Sequence, residues 1–102
     1  MEFIESPSFT KYVDSYLTNE DYRALQLFLA MDPKRGVVIR ASGGLRKLRW
    51  AASGRGKRGG VRVIYYYKDQ DSQIWLLSIF AKNEQSDLSH TALKAIKELI
   101  HE

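Results

Sequence analysis

The chain has 102 residues, enough for one hydrophobic core, so we treat residues 1–102 as a single domain. Its apolar fraction of 44% argues against disorder, and the absence of cysteine excludes disulfides, a thiol nucleophile and cysteine-ligated zinc. The apolar stretches are too short to span a membrane, and acidic residues stand where a signal peptide would be basic, so we expect a cytoplasmic protein.

The N-terminal third of the chain predicts a short strand followed by a helical hairpin. Phe3-Ile4-Glu5 is the strand, and Ser6-Pro7 is typical of a helix start. Apolar residues then follow at helical spacing, namely Phe9, Tyr12, Val13, Tyr16 and Leu17. The segment from Thr18 to Asp21 caps a second helix, which we expect to end at Asp32-Pro33.

The remainder of the chain predicts an antiparallel meander and a last helix. Residues 37–39, 45–51, 61–68 and 73–82 are β-branched or alternate apolar with polar residues. The glycine-rich segment 53–60 predicts a hairpin loop, residues 69–72 a tight turn, and residues 89–101 an amphipathic helix. We predict an α+β fold of order β-α-α-β-β-β-α, a small antiparallel sheet with two N-terminal helices and a C-terminal helix on one side.

The charge of the chain is segregated into its middle third. The whole chain has 16 basic and 12 acidic residues, but the stretch from Pro33 to Lys68 contains no acidic residue. Its basic residues form what we call the basic strip: Lys34, Arg35, Arg40, Arg46, Lys47, Arg49, Arg55, Lys57, Arg58, Arg62 and Lys68. Several of them alternate with apolar residues in predicted strands, so they belong to the fold. Regularly spaced phosphates are the natural ligand of such a strip, which predicts nucleic-acid binding.

The basic strip lacks the usual acid–base residues of a ribonuclease. His90 and His101 both lie in the predicted C-terminal helix, and the strip has no carboxylates to hold magnesium, so we expect no metal and no cofactor. Lysine, arginine or tyrosine would have to move the proton if the protein cuts RNA. The run Tyr65-Tyr66-Tyr67 must alternate between faces, so its members divide between the core and a surface that can stack bases, and we expect Trp75 in the core.

Three segments together resemble the RelE/HigB-like toxins of bacterial type II toxin–antitoxin systems, most closely the HigB branch. They are Gly43-Gly44-Leu45-Arg46-Lys47-Leu48-Arg49, the run from Gly54 to Tyr66, and Leu77 to Leu88. The resemblance implies a ribosome-dependent messenger-RNA endonuclease acting in the decoding site of the small ribosomal subunit. In such enzymes the ribose 2′-hydroxyl attacks the adjacent phosphate and leaves a cyclic phosphate. It also implies an antitoxin partner, with a helix-turn-helix DNA-binding domain in the HigB branch.

The resemblance also assigns roles to individual residues. Arg62 matches the phosphate-clamping arginine of the family and Lys82 the basic residue after its last strand, so both are candidate catalytic residues. Lys47, Arg49 and Lys57 match the other RNA-facing cations of the family. The further candidate RNA-binding residues come from the sequence pattern itself: Arg55 and Arg58 of the basic loop, and Tyr65 and Tyr66 of the tyrosine run. One position departs from the family, because this chain has Phe80 where many relatives have tyrosine. Phenylalanine cannot transfer a proton, and Tyr65 or Tyr66 is the available substitute.

Two other functions remain open from the sequence. ParE-like toxins of the same superfamily act on DNA gyrase and need no RNA-cleaving residues. A passive RNA-binding module would show salt-dependent binding without any cleavage product. The presence of both Arg62 and Lys82 favours the nuclease.

Overall fold

The computed structural model describes residues 1–51, 60–81, 94–96 and 98, and its strands form one five-stranded sheet. The elements are β1 (Glu2–Glu5), α1 (Pro7–Tyr16), α2 (Asn19–Met31), β2 (Val37–Val38), β3 (Arg46–Trp50), β4 (Val61–Lys68) and β5 (Gln73–Ala81). Residues 94–96 and 98 are helical. The α+β class and the helical hairpin predicted from the sequence are confirmed.

Side-chain caps fix the starts of both N-terminal helices. The Ser6 hydroxyl accepts a hydrogen bond from the Phe9 N–H, and Pro7 occupies the first helical position. Thr18 and Asp21 form a capping box, in which each side chain accepts from the backbone N–H of the other residue. These bonds satisfy N–H groups that have no partner within the helix. The second helix ends at Met31, directly before Asp32-Pro33 as predicted.

The sheet has the order β1-β5-β4-β3-β2 and is mixed, which corrects the prediction of an antiparallel sheet. Strands β2 to β5 form the expected antiparallel meander, but β1 runs parallel to β5. The two helices connect β1 with the opposite edge of the sheet, so no hairpin turn fixes its direction. The two-residue strand β2 is a fourth strand after the helices, where the predicted order had three.

The sheet is buried on both faces. The helix face packs against α1 and α2 in a core that includes Phe9, Val13, Leu25, Leu29, Leu48, Val61, Val63, Tyr65 and Leu76. The opposite side, which we call the distal face, has a second cluster of Leu45, Ile64, Leu77 and Phe80. Ile96 packs against this second cluster. Ile96 therefore lies against the distal face, which corrects the prediction that all helices lie on one side of the sheet.

The two predicted hairpin connections have different outcomes. Residues 69–72 form the expected tight turn, with a 3-10 turn at Asp69–Asp71 and Ser72 at a φ of 53°. Residues 52–59 of the glycine-rich connection lie outside the described residues, although Trp50 and Val61 at its ends are paired as predicted. None of the helices in the described ranges is both long and apolar enough to cross a membrane.

Candidate RNA-binding face

Three cations of the basic strip share the distal face of the sheet. Arg49 on β3 is paired with Arg62 on β4, which is paired in turn with Phe80 on β5. Residues directly opposite each other in antiparallel strands project to the same face, and so do residues two apart along a strand. Lys47 is therefore on this face as well. The distal face presents two guanidinium groups and one ammonium group on adjacent strands.

Arg62 has the most unusual environment of the three. Its exposed fraction is only 9%, and in the described part of the chain it is the sole charged residue that is buried. It lies on β4, between β3 and β5, where its backbone is held from both sides. Arginine is rarely buried, because taking a charge out of water costs free energy. A guanidinium held in this way has a restricted position before any ligand arrives, which suits the binding of a phosphate oxygen.

The pairing of Arg49 with Arg62 adds a second unfavourable contribution to the free energy of folding, besides the burial of Arg62. Like charges directly opposite each other on neighbouring strands destabilise a sheet. Arg49 is exposed, so water screens its charge, whereas Arg62 is not. A ligand with several negative charges would be complementary to the cations of this face.

Arg46 also belongs to the basic strip but projects to the helix face. It is paired with Tyr65, one residue out of phase with Lys47. Its guanidinium Nη1 donates hydrogen bonds to the carbonyl oxygens of Lys34 at 3.1 Å and Gly36 at 2.8 Å. Arg46 thus fixes the connection between α2 and β2, and its side chain lies on the other face of the sheet from Lys47, Arg49 and Arg62.

The structure corrects the assignment of Tyr65 as a candidate RNA contact. Its side chain is fully buried in the core of the helix face. The hydroxyl donates to the carbonyl oxygen of Pro33 and accepts from the N–H of Gly36, both at 2.8 Å. Burial raises the pKa of this phenol above its ordinary value, partly opposed by the hydrogen bond from Gly36 and the charge of Arg46. A buried phenol of this kind cannot stack on a base.

Tyr66 lies on the distal face and is half-buried against the cluster of Leu45, Ile64, Leu77 and Phe80. The connection between β2 and β3 passes close to its ring. Gly44 has a φ of 105°, and a Cβ built there would lie 3.3 Å from Tyr66 Cε1, so a larger residue would disturb the ring. Trp75 is paired with Tyr66 and is half-buried against the same cluster, so it packs on the core in which it was predicted to lie.

The comparisons with known proteins assign the family. The family model described as the RelE toxin of the RelE/RelB toxin–antitoxin system matches residues 10–102. The chain belongs to the RelE toxin family. Since the match covers most of the chain, the resemblance expected from the three sequence segments is confirmed at the level of this family.

Solved structures of Escherichia coli RelE share the fold of this RelE-family chain at low sequence identity. A free-state structure of a mutant with two arginines replaced by alanine has 10% identity and a TM-score of 0.57, covering 97% of this chain and 95% of that one. The intact RelBE toxin–antitoxin complex matches with 12% identity and a TM-score of 0.57, covering 78% and 94%. A crystal structure of isolated RelE has 12% identity and a TM-score of 0.55, covering 96% and 97%.

Several candidate residues of this RelE-family chain lie outside the described residues. They are Arg55, Lys57 and Arg58 in the β3–β4 connection, Lys82 directly after β5, and both histidines, His90 and His101. Their assignments remain predictions. Within residues 1–51, 60–81, 94–96 and 98, no three histidine, aspartate or glutamate side chains are grouped so that they could hold a metal ion.

Ser78 is one residue of the distal face that the sequence reasoning did not single out. It is half-buried and paired with Ile64, which is paired in turn with Lys47. Its hydroxyl is thus on the same face as the three cations and can donate to an anion. Counting back two residues from Phe80 would have placed Ser78 on this face. The register between β4 and β5 is irregular at Ile64/Tyr65, where Leu77 is not paired with a residue of β4. The alternation of faces along β5 is interrupted at this point.

Proposed function

We propose that this chain is the toxin of a type II toxin–antitoxin system and a ribosome-dependent messenger-RNA endonuclease that works without a metal or other cofactor. The observation that carries the proposal is the buried Arg62, flanked by exposed Arg49 on the adjacent strand. Two arginines on adjacent strands, one of them buried, suit the binding of phosphate groups. RNA is a ligand of this kind, because each nucleotide carries a phosphate that the two guanidinium groups could bind.

In the proposed reaction, the 2′-oxygen of a ribose attacks the adjacent phosphorus. The 2′-hydroxyl loses its proton as the new P–O bond forms. The bond from phosphorus to the 5′-oxygen of the next nucleotide breaks and this oxygen takes up a proton, which leaves a cyclic phosphate and a 5′-hydroxyl. Negative charge increases on the phosphate oxygens in the transition state. The role we assign to the Arg62 guanidinium is to stabilise this negative charge.

We infer a second catalytic role for Lys82, which follows Ala81 at the end of β5. It would supply another positive charge or transfer a proton. Phe80 has no ionisable group, so it provides neither. The basic strip itself contains no histidine or carboxylate that could act as a base. We therefore expect the ribosome to align the 2′-hydroxyl with the phosphate.

The remaining basic residues would hold the RNA around the scissile bond. Lys47 and Arg49 flank Arg62 on the distal face, and Tyr66 offers an aromatic ring on the same face. Arg55, Lys57 and Arg58 would follow the RNA backbone from the β3–β4 connection. Such contacts to phosphate position the messenger but do not read its sequence.

We further propose that a cognate antitoxin binds this protein, as RelB does RelE in the similar RelBE complex. The sequence segments that resemble the HigB branch favour an antitoxin with a helix-turn-helix DNA-binding domain. Binding of the antitoxin need not cover the distal face.

The substitution Arg62→Met tests the role of the charge with little loss of packing. Methionine keeps an unbranched apolar side chain, so the variant is expected to fold. Removing an interaction made mainly in the transition state costs on the order of 3 kcal/mol, so cleavage in a translating extract should fall roughly a hundredfold. Arg23→Ala, which removes an exposed charge on α2, is the matched control and should cleave like the parent. Undiminished cleavage by folded Arg62→Met would refute the assignment.

A further inference from the structure

Ser78 is a polar residue in the middle of an apolar strand. From Ile74 to Ala81 all other residues of β5 are apolar. The interior of a strand favours β-branched and aromatic residues, and a hydroxyl taken out of water costs free energy unless it is hydrogen-bonded. Departures of this kind from the local sequence pattern are expected at functional sites.

The hydroxyl of Ser78 has no role within the fold. Of the described serines, Ser6, Ser42 and Ser78 are at least half-buried. The Ser6 hydroxyl caps α1, and the Ser42 hydroxyl joins backbone groups within the β2–β3 connection. The Ser78 hydroxyl makes no hydrogen bond with another described residue. In this part of the chain Nε1 of Trp50 is the one buried side-chain nitrogen or oxygen that lacks a partner, so the Ser78 oxygen is accessible to a ligand.

Ser78 lies diagonally opposite Arg62 on the distal face. It is paired with Ile64, and Arg62 is paired with Phe80, which is two residues further along β5. Residues in this relation have Cα atoms roughly 7–8 Å apart, within the reach of a long side chain. Lys47 is paired with Ile64 from the other side, on β3. The hydroxyl of Ser78 therefore lies next to the buried guanidinium group and one strand away from an ammonium group.

The hydroxyl of Ser78 differs in chemistry from the cations around it. The side chains of Lys47, Arg49 and Arg62 can only donate hydrogen bonds, which suits the acceptor oxygens of phosphate. A serine hydroxyl both donates and accepts. The ribose 2′-hydroxyl of RNA has the same double character, and it is the group that distinguishes RNA from DNA. Because riboses and phosphates alternate along a strand, a ribose next to a phosphate bound by Arg62 meets this hydroxyl.

We propose that the Ser78 hydroxyl forms a hydrogen bond with the 2′-hydroxyl of a nucleotide that flanks the two nucleotides joined by the scissile bond or belongs to them without being the nucleophile. Ser78 comes two residues before Phe80 along β5, whereas Lys82 comes two residues after it. With the scissile phosphate assigned to Arg62 and Lys82, a neighbouring ribose is the one that meets Ser78. This inference rests on the proposed function, because it takes the distal face as the binding site for the messenger. Ser78 is then a substrate-binding residue that selects RNA.

Two substitutions of similar shape test the hydroxyl. Ser78→Thr keeps a hydroxyl and Ser78→Val replaces it by a methyl group, and both residues are good strand formers. Cleavage of messenger on translating ribosomes by Ser78→Val should fall about fivefold, as expected for one lost hydrogen bond, whereas Ser78→Thr should stay within about twofold of the parent. Ser8→Ala removes an exposed hydroxyl of α1 and is the control, which should cleave like the parent.

Modified messengers test the partner of the hydroxyl. The messenger is synthesised with a single 2′-deoxynucleotide, placed either directly before the nucleotide that carries the attacking 2′-hydroxyl or directly after it. The attacking group itself is retained in both messengers. One of the two should be cut about fivefold more slowly by the parent and by Ser78→Thr. Ser78→Val should cut this messenger as fast as the unmodified one, because the two changes remove the same hydrogen bond. A purely structural role of Ser78 would not produce this dependence.

The results separate the failure of this inference from the failure of the proposed function. If the parent cuts both modified messengers as fast as the unmodified one, the inference is overturned while the nuclease proposal stands. The measurement on the parent needs no variant, so it decides even where a variant does not fold. Equal slowing of the parent and of Ser78→Val by the deoxynucleotide would also overturn it, because the hydroxyl would then bind another group, such as a phosphate. Absence of cleavage of the unmodified messenger by the parent would refute the nuclease proposal and this inference together.

Discussion

Arg46 and Arg62 show how one residue type serves two purposes on adjacent strands. Arg46 projects to the helix face and donates to two backbone carbonyl oxygens, so its charge is used within the fold. Arg62 projects to the distal face, opposite Arg49. Losing Arg46 would free the connection between α2 and β2, whereas losing Arg62 would remove charge from the candidate RNA-binding face. The basic strip is therefore partly structural, and its net charge overstates the number of ligand contacts.

Tyr65→Phe is expected to lower the free energy of unfolding without removing activity. The substitution leaves the Gly36 N–H and the Pro33 carbonyl without their partner, and an unsatisfied buried group costs about 1–3 kcal/mol. Urea denaturation measures the loss. Tyr67→Phe, whose hydroxyl contacts Asp69 at the surface, is the control and should change stability by less than about 0.5 kcal/mol. Equal stability of both variants would contradict the structural role of Tyr65.

The three consecutive tyrosines show what strand periodicity can and cannot predict. Alternation places Tyr65 and Tyr67 on one face and Tyr66 with Arg62 on the other. That signal was present in the sequence and already separates Tyr65 from the arginine. The burial of Arg62 could not be predicted in the same way, because it depends on how β3 and β5 lie on either side of β4. The cations of the face were thus predictable as a set, but their exposure was not.

Among the secondary-structure elements, β1 is fixed to both helices by a single carboxylate. Glu5 accepts hydrogen bonds from the Thr10 hydroxyl of α1 at 2.6 Å and the Tyr22 hydroxyl of α2 at 2.5 Å. Burial of Tyr22, together with the hydrogen bond and the negative charge of Glu5, raises the pKa of this phenol well above its ordinary value of 10.0. The helical hairpin and the edge strand therefore become coupled to the protonation state of Tyr22.

We predict that stability falls as pH rises above about 10 and that Tyr22→Phe makes this fall shallower. Above its ordinary pKa the Tyr22 phenol is deprotonated in the unfolded chain but stays protonated in the folded chain. Rising pH therefore favours the unfolded state and lowers the free energy of unfolding. Buried Tyr65 contributes in the same direction. Thermal unfolding between pH 8 and pH 11 measures the effect, with Tyr12→Phe at an exposed site as the control. The same slope in Tyr22→Phe and the parent would show that Tyr22 is not coupled to folding.

Caps and proline allowed the helices to be predicted closely, whereas long-range contacts did not follow from the sequence. Ser6-Pro7, Thr18 and Pro33 are local signals, and the helix bounds agree with them. The direction of β1 depends on where the helices return the chain, and the contact of Ile96 with the distal face depends on the whole C-terminal path. Neither the direction of β1 nor the contact of Ile96 can be predicted from a short segment of the sequence.

The β3–β4 connection carries the prediction that concerns affinity for the ribosome. Replacing Arg55, Lys57 and Arg58 by serine should weaken binding and lower the slope of log K against log salt by about one unit per lost phosphate contact. Lys11→Ser/Arg23→Ser, in the helical layer, controls for lost positive charge. Sedimentation with ribosomes at several salt concentrations gives the slope. If the triple variant kept the slope of the parent, these three residues would not contact RNA.

At the scale of the whole molecule, the distal face and the outer side of α2 expose different kinds of side chain. The distal face carries Lys47, Arg49 and Arg62, while the outer side of α2 carries Leu27 and Met31. Under the proposed function, messenger RNA on the ribosome binds the distal face, where the cations are complementary to its phosphates.

The dependence of cleavage on the ribosome tests the central claim most directly. Purified protein is incubated with messenger RNA alone and with messenger RNA on translating ribosomes, and the cut positions are mapped against the reading frame. Because the basic strip contains cations suited to phosphate but no histidine or carboxylate base, we predict intact free RNA and cuts in register with codons on the ribosome. Efficient cutting of free RNA at neutral pH, or no cutting in either condition together with inhibition of DNA gyrase, would contradict this account.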